Sequence, residues 1–246
     1  QPHGGTFVPD IILATFNDNG RKLADTDWHI TRLYDGLCEG ATIVSANFHR
    51  YVIDANRDPA GLSLYPGQNT TGLCPLTDFD GEAIYQPGME PDEAGIANRM
   101  ENWHRPYHQA LEAEITRVKS IHGYALVFDC HSIRSHIPFL FDGDLPDFNI
   151  GTNGGETCAQ TIERTALDIC TRANGFTHVL NGRFKGGCTT RHYGRPQNNI
   201  HAIQMEIAQR QYMDEFAPWR WREERALKTR AVLKSLFVEL NTLAPQ

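Results

Sequence analysis

Apolar residues recur at steps of three and four across residues 92–122: Ile96, Met100, Trp103, Tyr107, Leu111, Ile115 and Val118. A helix brings such positions onto one face, so this spacing predicts an amphipathic helix. Pro106 lies inside the run and should kink or split it, because proline has no N–H to donate and its ring crowds the preceding turn. Gly123 is expected to stop the helix, and the unbroken apolar run YALVFD (residues 124–129) reads as a strand covered on both faces. The polar segment CHSIRSH would then follow directly after that strand's end. Further strands are predicted in ATIVSANFHRYVID (one or two within residues 41–54), HVLN (178–181) and HAIQMEI (201–207). Helices are predicted at 158–174, closed by Gly175, and at 221–243. Residues 58–89, full of Pro, Gly, Asn and Thr, read as a long binding loop or lid. Strands alternating with helices favour a layered α/β fold with a mainly parallel or mixed sheet. In such folds ligands collect beyond the carboxyl ends of the strands.

Length and charge narrow the class. The 246 residues suffice for one domain with a sizeable core, and no repeat, low-complexity tract or charged linker divides residues 1–246. Lys and Arg number 23 against 30 for Asp and Glu, a net charge of −7 that works against a nucleic-acid or anionic-membrane partner. No apolar run approaches the roughly 20 residues needed to span a bilayer. The six cysteines, at 38, 74, 130, 158, 170 and 188, form no CxxC pair and are sparse for a disulfide scaffold; reduced thiols in a cytoplasmic setting are expected. The opening QPHGGTFVPD has no initiator Met, basic n-region or apolar h-region, so no signal peptide is visible, and residues before Gln1 are expected to be missing.

The chain carries no GxGxxG, P-loop, HExxH or GxSxG signature, which removes most support for nucleotide binding and serine-hydrolase chemistry. What remains is a set of polar residues at expected strand ends. His131, leaving YALVFD, would point into the crevice as a metal ligand or catalytic group; a hydrogen-bonded cap is an equal reading. Glu206 sits between apolar neighbours, where a carboxylate is either buried for metal or proton transfer or lies on an exposed alternating face. His3 in PHGG suits a ligand on a tight turn, although terminal histidines are ordinarily solvated. Asp25 and Asp27 precede a helix-like stretch and would ordinarily cap it. Asn56, Arg57, Arg134, Arg183, Lys185, Arg191 and His192 lie among small polar residues near strand ends, where Arg forks suit carboxylates. Local arginines on an acidic chain suggest a small anionic substrate. His104 and His108, four apart with Pro106 between them, read as packing or capping residues more than as zinc ligands. Cys130 is poorly placed to exchange a proton with the adjacent His131, since neighbours on an extended segment point to opposite sides.

Taken together, PHGG, DTDWHITRLY, RYVIDANRDP, LYPGQNTTGLCP, RPYHQAL, DCHSIRS, LFDGDLPDFNIGT, NGRFKGG, TRHYGRP and HAIQMEIAQRQYMDE span nearly the whole chain and resemble the N-formylglutamate deformylase (N-formylglutamate amidohydrolase) family. The resemblance implies a three-layer α/β/α, phosphorylase/hydrolase-like fold related to the zinc carboxypeptidases, and one catalytic divalent metal, Zn2+. It also implies cleavage of N-formyl-L-glutamate to L-glutamate and formate in histidine degradation. Carried over residue by residue, His3, Asp27 and His131 are the implied ligands, with Asp25 behind Asp27 as the alternative. Glu206 is the implied general base and acid. Asn56 and Arg57 match a pair that holds a substrate carboxylate, with Arg134, Arg183 and Arg191 as further carboxylate partners. Gly4 and Ala55 depart from the residues usual in the family, but neither removes a functional side chain. Only two residues precede His3, so a protein that began here would carry a weakened metal site. The alternatives are a hydrolase of another N-acyl acidic amino acid, a non-catalytic dicarboxylate-binding protein, and, more remotely, a thiol hydrolase using Cys130 or Cys188.

Overall fold

Capping chemistry sets the limits of the first long helical region. The structure, a computed structural model, describes residues 1–61, 67 and 69–243. After two short helices, α1 (Asp10–Leu13) and α2 (Ile30–Tyr34), the chain enters α3 (Glu93–Arg99). The Asp92 carboxylate accepts the Gly95 N–H at 2.8 Å, satisfying one of the orphan donors of that helix's first turn. A π-helical turn, Met100–His104, leads into α4 (Arg105–His122). Pro106 therefore falls in the first turn of α4, where its missing N–H costs nothing. The run is not split: α3, the π-helical turn and α4 follow one another without a gap from Glu93 to His122, and the departure from α geometry is the widened turn just before Pro106. Gly123 closes α4 at φ +78°, a left-handed conformation that a side chain would disfavour.

The remaining elements are β1 (Ala125–Ile133), β2 (Phe148–Gly151), α5 (Gln160–Arg172), β3 (His178–Leu180), α6 (Cys188–Tyr193), β4 (Ile200–Ala208) and α7 (Glu223–Thr242). The strands form one sheet in the order β1-β4-β2-β3. β1 and β4 are parallel, β2 and β3 are parallel, and β2 runs antiparallel to β4. The sheet is thus mixed, within the predicted α/β class.

Two expectations need correction. CHSIRSH does not follow the end of β1: pairing with β4 continues to Ile133↔Ala208, so Cys130, His131 and Ser132 lie inside the strand. Residues 41–54 form no strand. Tyr51, Val52 and Ile53 are fully buried, which accounts for the apolar run, but the backbone is satisfied by turns and by the chain's start. The Ala46 N–H donates to the Gln1 carbonyl, Phe7 bridges Phe48, and the Val52 N–H donates to the His49 carbonyl. Burial selected apolar residues there without a neighbouring strand to pair with.

Alternation along the strands supplies an apolar cluster to each side of the sheet. Leu126, Phe128, Cys130, Ile203, Met205 and Ile207 join α2, α5 and α7 on one face. Ala125 and Val127 join Tyr107, Leu111 and Ile115 of α4 on the other. This gives the helix–sheet–helix layering. Leu236, fully buried in the first cluster, fixes α7 to it. Leu236→Ala is expected to lower unfolding free energy by about 2–5 kcal/mol through lost transfer energy and a residual cavity. A urea midpoint shifted down at unchanged slope would show this. All six cysteines are free thiols; burial pushes those of Cys130, Cys158 and Cys170 up to about 12. Among the described residues no helix is long and apolar enough to cross a membrane.

Candidate active site

The register of β1 against β4 builds the site. Asp129 pairs with Gln204 and His131 with Glu206, so all four side chains stand on one face near the carboxyl ends of two adjacent parallel strands. His3 and Asp27 come from the chain's start and are held to each other, the Asp27 N–H donating to the His3 carbonyl at 3.0 Å. His3, Asp27 and His131 are all buried, and one ligand atom from each lies within 4.8 Å of the others.

The histidines are oriented from behind. His3 Nδ1 lies 3.9 Å from Asp27 Oδ1, while its Nε2 is 2.7 Å from Asp54 Oδ1. His131 Nδ1 lies 3.3 Å from Asp27 Oδ2, while its Nε2 is 3.1 Å from Asp129 Oδ1. Both rings therefore present Nδ1 to the shared aspartate and Nε2 to a carboxylate. This is the backing that metal-ligating histidines ordinarily have. Burial, with Arg50 nearby, pushes His3 down to about 4, so its imidazole is neutral near pH 7. Burial also works to lower His131, but the Asp129 carboxylate and a hydrogen bond to Asp27 outweigh it and raise the ring to about 10. A divalent cation among these donors would take over the charge that this proton carries. Two imidazoles and one carboxylate, each buried and backed, fit a zinc-type ion, and three protein ligands are the number that leaves a position for water.

Asp25, the alternative ligand, faces elsewhere. Its Oδ2 accepts from the Tyr51 hydroxyl at 2.8 Å and the Phe79 N–H at 2.9 Å, and burial pushes its carboxyl up to about 7. Neither Asp25 nor Asp27 caps α2, whose N-cap is His29.

Glu206 lies beside this group and is only 6% exposed. Gln204 aims it: the Gly187 N–H donates to Gln204 Oε1 at 2.6 Å, which leaves the amide Nε2 to donate to Glu206 Oε2 at 3.1 Å. Burial pushes the Glu206 carboxyl up to about 8; His131 opposes this and Asp27 adds to it. A carboxyl poised near neutrality can both accept and return a proton.

These residues open on a cavity of about 150 Å³, whose wall also includes Arg50, Asn56, Arg57, Arg183 and Phe184. Arg57 donates to the Thr71 carbonyl and hydroxyl, at 2.8 and 3.0 Å. Arg183 donates to the carbonyls of Leu140 and Asn69. Arg134 and Arg191 are not among the lining residues: Arg134 pairs with Asp80, and Arg191 donates to the Gly186 carbonyl. Two charged residues that the motifs did not mark are Arg50, in the cavity wall, and Asp54, which stands behind His3 and Arg50. Arg50 is buried, bonded to Asp54 at 2.5 Å and stacked 4.6 Å over the Phe79 ring, and its Nε has no hydrogen-bond partner among the described residues. Asp54 accepts from His3, Arg50 and the Asn56 N–H together. The available signal was a charge at each end of the buried run RYVID, since a charge in such a place needs a partner.

Cys130, on the opposite face of β1, is packed in the core away from the cavity. His104 and His108 also lie outside the cavity lining, on the far side of residues 55–57.

Fold and site together define the class: a mixed-sheet α/β protein with a buried histidine–carboxylate group of metal-binding type at the carboxyl ends of its parallel strands. The family model for N-formylglutamate amidohydrolase matches residues 1–213, and the chain belongs to that family. It is 48% identical over 242 residues to the N-formylglutamate deformylase of Pseudomonas aeruginosa, covering 98% of this chain and 90% of the relative. It is 47% identical over 241 residues to that of Pseudomonas putida, with the same coverage. Among solved structures, the N-formylglutamate amidohydrolase of Ralstonia eutropha superposes with a TM-score of 0.80 at 24% identity, covering 98% of this chain and 91% of that one. A gene product of Agrobacterium tumefaciens gives 0.68 at 18% identity, covering 98% and 88%. At those identities the two structures speak for the fold.

Proposed function

We propose that this chain hydrolyses N-formyl-L-glutamate to L-glutamate and formate. The observation that carries the reading is one cavity in which the His3–Asp27–His131 group, the Glu206 carboxyl and several arginines meet. The family, and the two deformylases nearly half identical over most of the chain, support the substrate.

Zn2+ held by His3, Asp27 and His131 would supply Lewis acidity to the formyl oxygen and lower the pKa of water towards ~7. The chain's own residues do the rest. Glu206 takes a proton from the water that attacks the formyl carbon and returns it to the glutamate nitrogen as the C–N bond breaks. The Arg50 guanidinium, in the cavity wall, adds positive charge near the formyl oxygen as negative charge develops there. Asn56, Arg57 and Arg183 line the cavity where the two substrate carboxylates must sit, and the positive charge of the two arginines there favours an anionic substrate over a neutral amide. Arg134 and Arg191 act at most from behind that wall. The free thiols fit a reducing, cytoplasmic setting, and a deformylase acting on this substrate fits the end of histidine degradation.

The test is formate release from N-formyl-L-glutamate by purified protein, with chelator and then with Zn2+ restored. Expected is release that chelator abolishes and Zn2+ recovers. Undiminished release from protein shown to be metal-free would overturn the metal role. No release from zinc-loaded, folded protein would overturn the substrate, and N-acetyl and longer N-acyl glutamates and aspartates would be tried in its place.

A further inference from the structure

His104 and His108 have no part in the chemistry above, yet both are turned towards residues 55–57. They stand four apart where the π-helical turn meets α4, with ring centroids 4.3 Å apart. His108 Nε2 lies 2.8 Å from the Ala55 carbonyl oxygen, and His104 Nε2 lies 3.2 Å from that of Arg57. A carbonyl can only accept, so both rings must carry their proton on Nε2. His108 Nδ1 is then an acceptor, and the Tyr193 hydroxyl lies 2.9 Å from it. Burial lowers both rings below their ordinary range, His108 to about 4, which keeps the pair uncharged as they touch.

The two carbonyls flank Asn56, whose side chain is committed on the opposite side. Its Oδ1 accepts the Thr189 N–H at 2.8 Å, and its Nδ2 lies 3.1 Å from His131 Nε2. Gly187 makes room for it: a Cβ there would stand 2.3 Å from Asn56 Nδ2. Asn56 and Arg57 thus reach the cavity from a peptide stretch gripped by α4 behind and by the start of α6 in front.

We infer that His104 and His108 are positioning residues: an imidazole pair that clamps the carbonyls of Ala55 and Arg57 and so sets Asn56 and Arg57 in the substrate-carboxylate wall. The clamp acts through Arg57, so its loss falls on substrate binding. The kinetic part rests on the proposed activity; the geometric part does not.

Two measurements test it. In zinc-loaded protein, His108→Leu is expected to raise KM for N-formyl-L-glutamate by about tenfold, the worth of a lost hydrogen bond that holds a binding group. Its kcat should stay within about threefold, the scale of a modest secondary effect. His108→Gln, whose amide can still donate to Ala55, should recover most of the KM. Tyr193→Phe, which keeps the donor but frees Nδ1, should fall between them and provides a second variant if His108→Leu does not fold. An unchanged KM in folded His108→Leu, a loss confined to kcat, or failure of Gln to recover KM would each overturn the inference. Independently of substrate, 15N spectra of the histidine rings in wild-type protein should show Nε2–H tautomers for both residues, uncharged at pH 7.5. An Nδ1–H tautomer or an imidazolium at either position would overturn the clamp. Absence of turnover in the wild type with those tautomers present would instead overturn the proposed substrate alone.

Discussion

Glu206→Gln is expected to lower kcat for formate release by about 10²–10⁴-fold, the usual worth of a positioned general acid–base group. Bound zinc per chain should not change, because Glu206 stands outside the His3–Asp27–His131 group. The substitution is isosteric, and the new amide oxygen can still accept from Gln204 Nε2, which donates to Glu206 Oε2 at 3.1 Å in the native chain. What the amide cannot do is take up a proton and give it back. KM should move little, since the arginines of the cavity wall are untouched. Turnover within about threefold of wild type would remove Glu206 from the proton-transfer role, because a loss that small lies far below what general catalysis contributes.

The second large effect is on metal content. His131→Ala removes the imidazole whose Nδ1 faces Asp27, and it leaves Asp129 and Asn56 turned towards an empty position. Dialysed wild-type protein is expected to retain about one zinc per chain, as a three-ligand site with an open position does. The variant should retain almost none and should release no formate until a large excess of zinc is added. Zinc measured by atomic emission, beside a urea curve showing that the variant is folded, decides the matter. Full occupancy in folded His131→Ala would eliminate His131 as a ligand. Loss of zinc without loss of turnover would separate the group from the reaction altogether.

The long periodic segments were the readable part of the fold. The apolar positions of α4, the unbroken run of β1 and the amphipathic spans of α5 and α7 each reflect one dominant physical demand, and the elements formed near where that demand placed them. Residues 41–54 met the same demand for burial without a strand to pair with, and burial alone cannot distinguish those cases. β2 has four residues in a stretch broken by Pro146, and it exists because β3 and β4 flank it, which is tertiary information. In the site, the motif residues His3, Asp27, His131 and Glu206 do converge. The resemblance already placed Asp27 ahead of Asp25; the physical reason lies in the fold, where Asp25 is turned away by bonds to Tyr51 and Phe79 that are distant in sequence. The arginines divided for a similar reason. Arg134, paired with Asp80, and Arg191, bonded to the Gly186 carbonyl, stand outside the cavity lining, while Arg50 reaches the cavity from the edge of a buried apolar run.

The buried cysteines have a practical consequence. Cys130 and Cys170 are enclosed on one face of the sheet, and Cys158 joins them where the chain enters α5. A thiol held near 12 presents almost no thiolate at neutral pH, and its sulfur is out of a reagent's reach while the layers stay closed. Alkylation of these three positions must therefore wait for the helices to leave the sheet. Located by mass spectrometry, their labelling clocks how often the native protein opens, without an added probe and without disturbing the cavity on the sheet's other face.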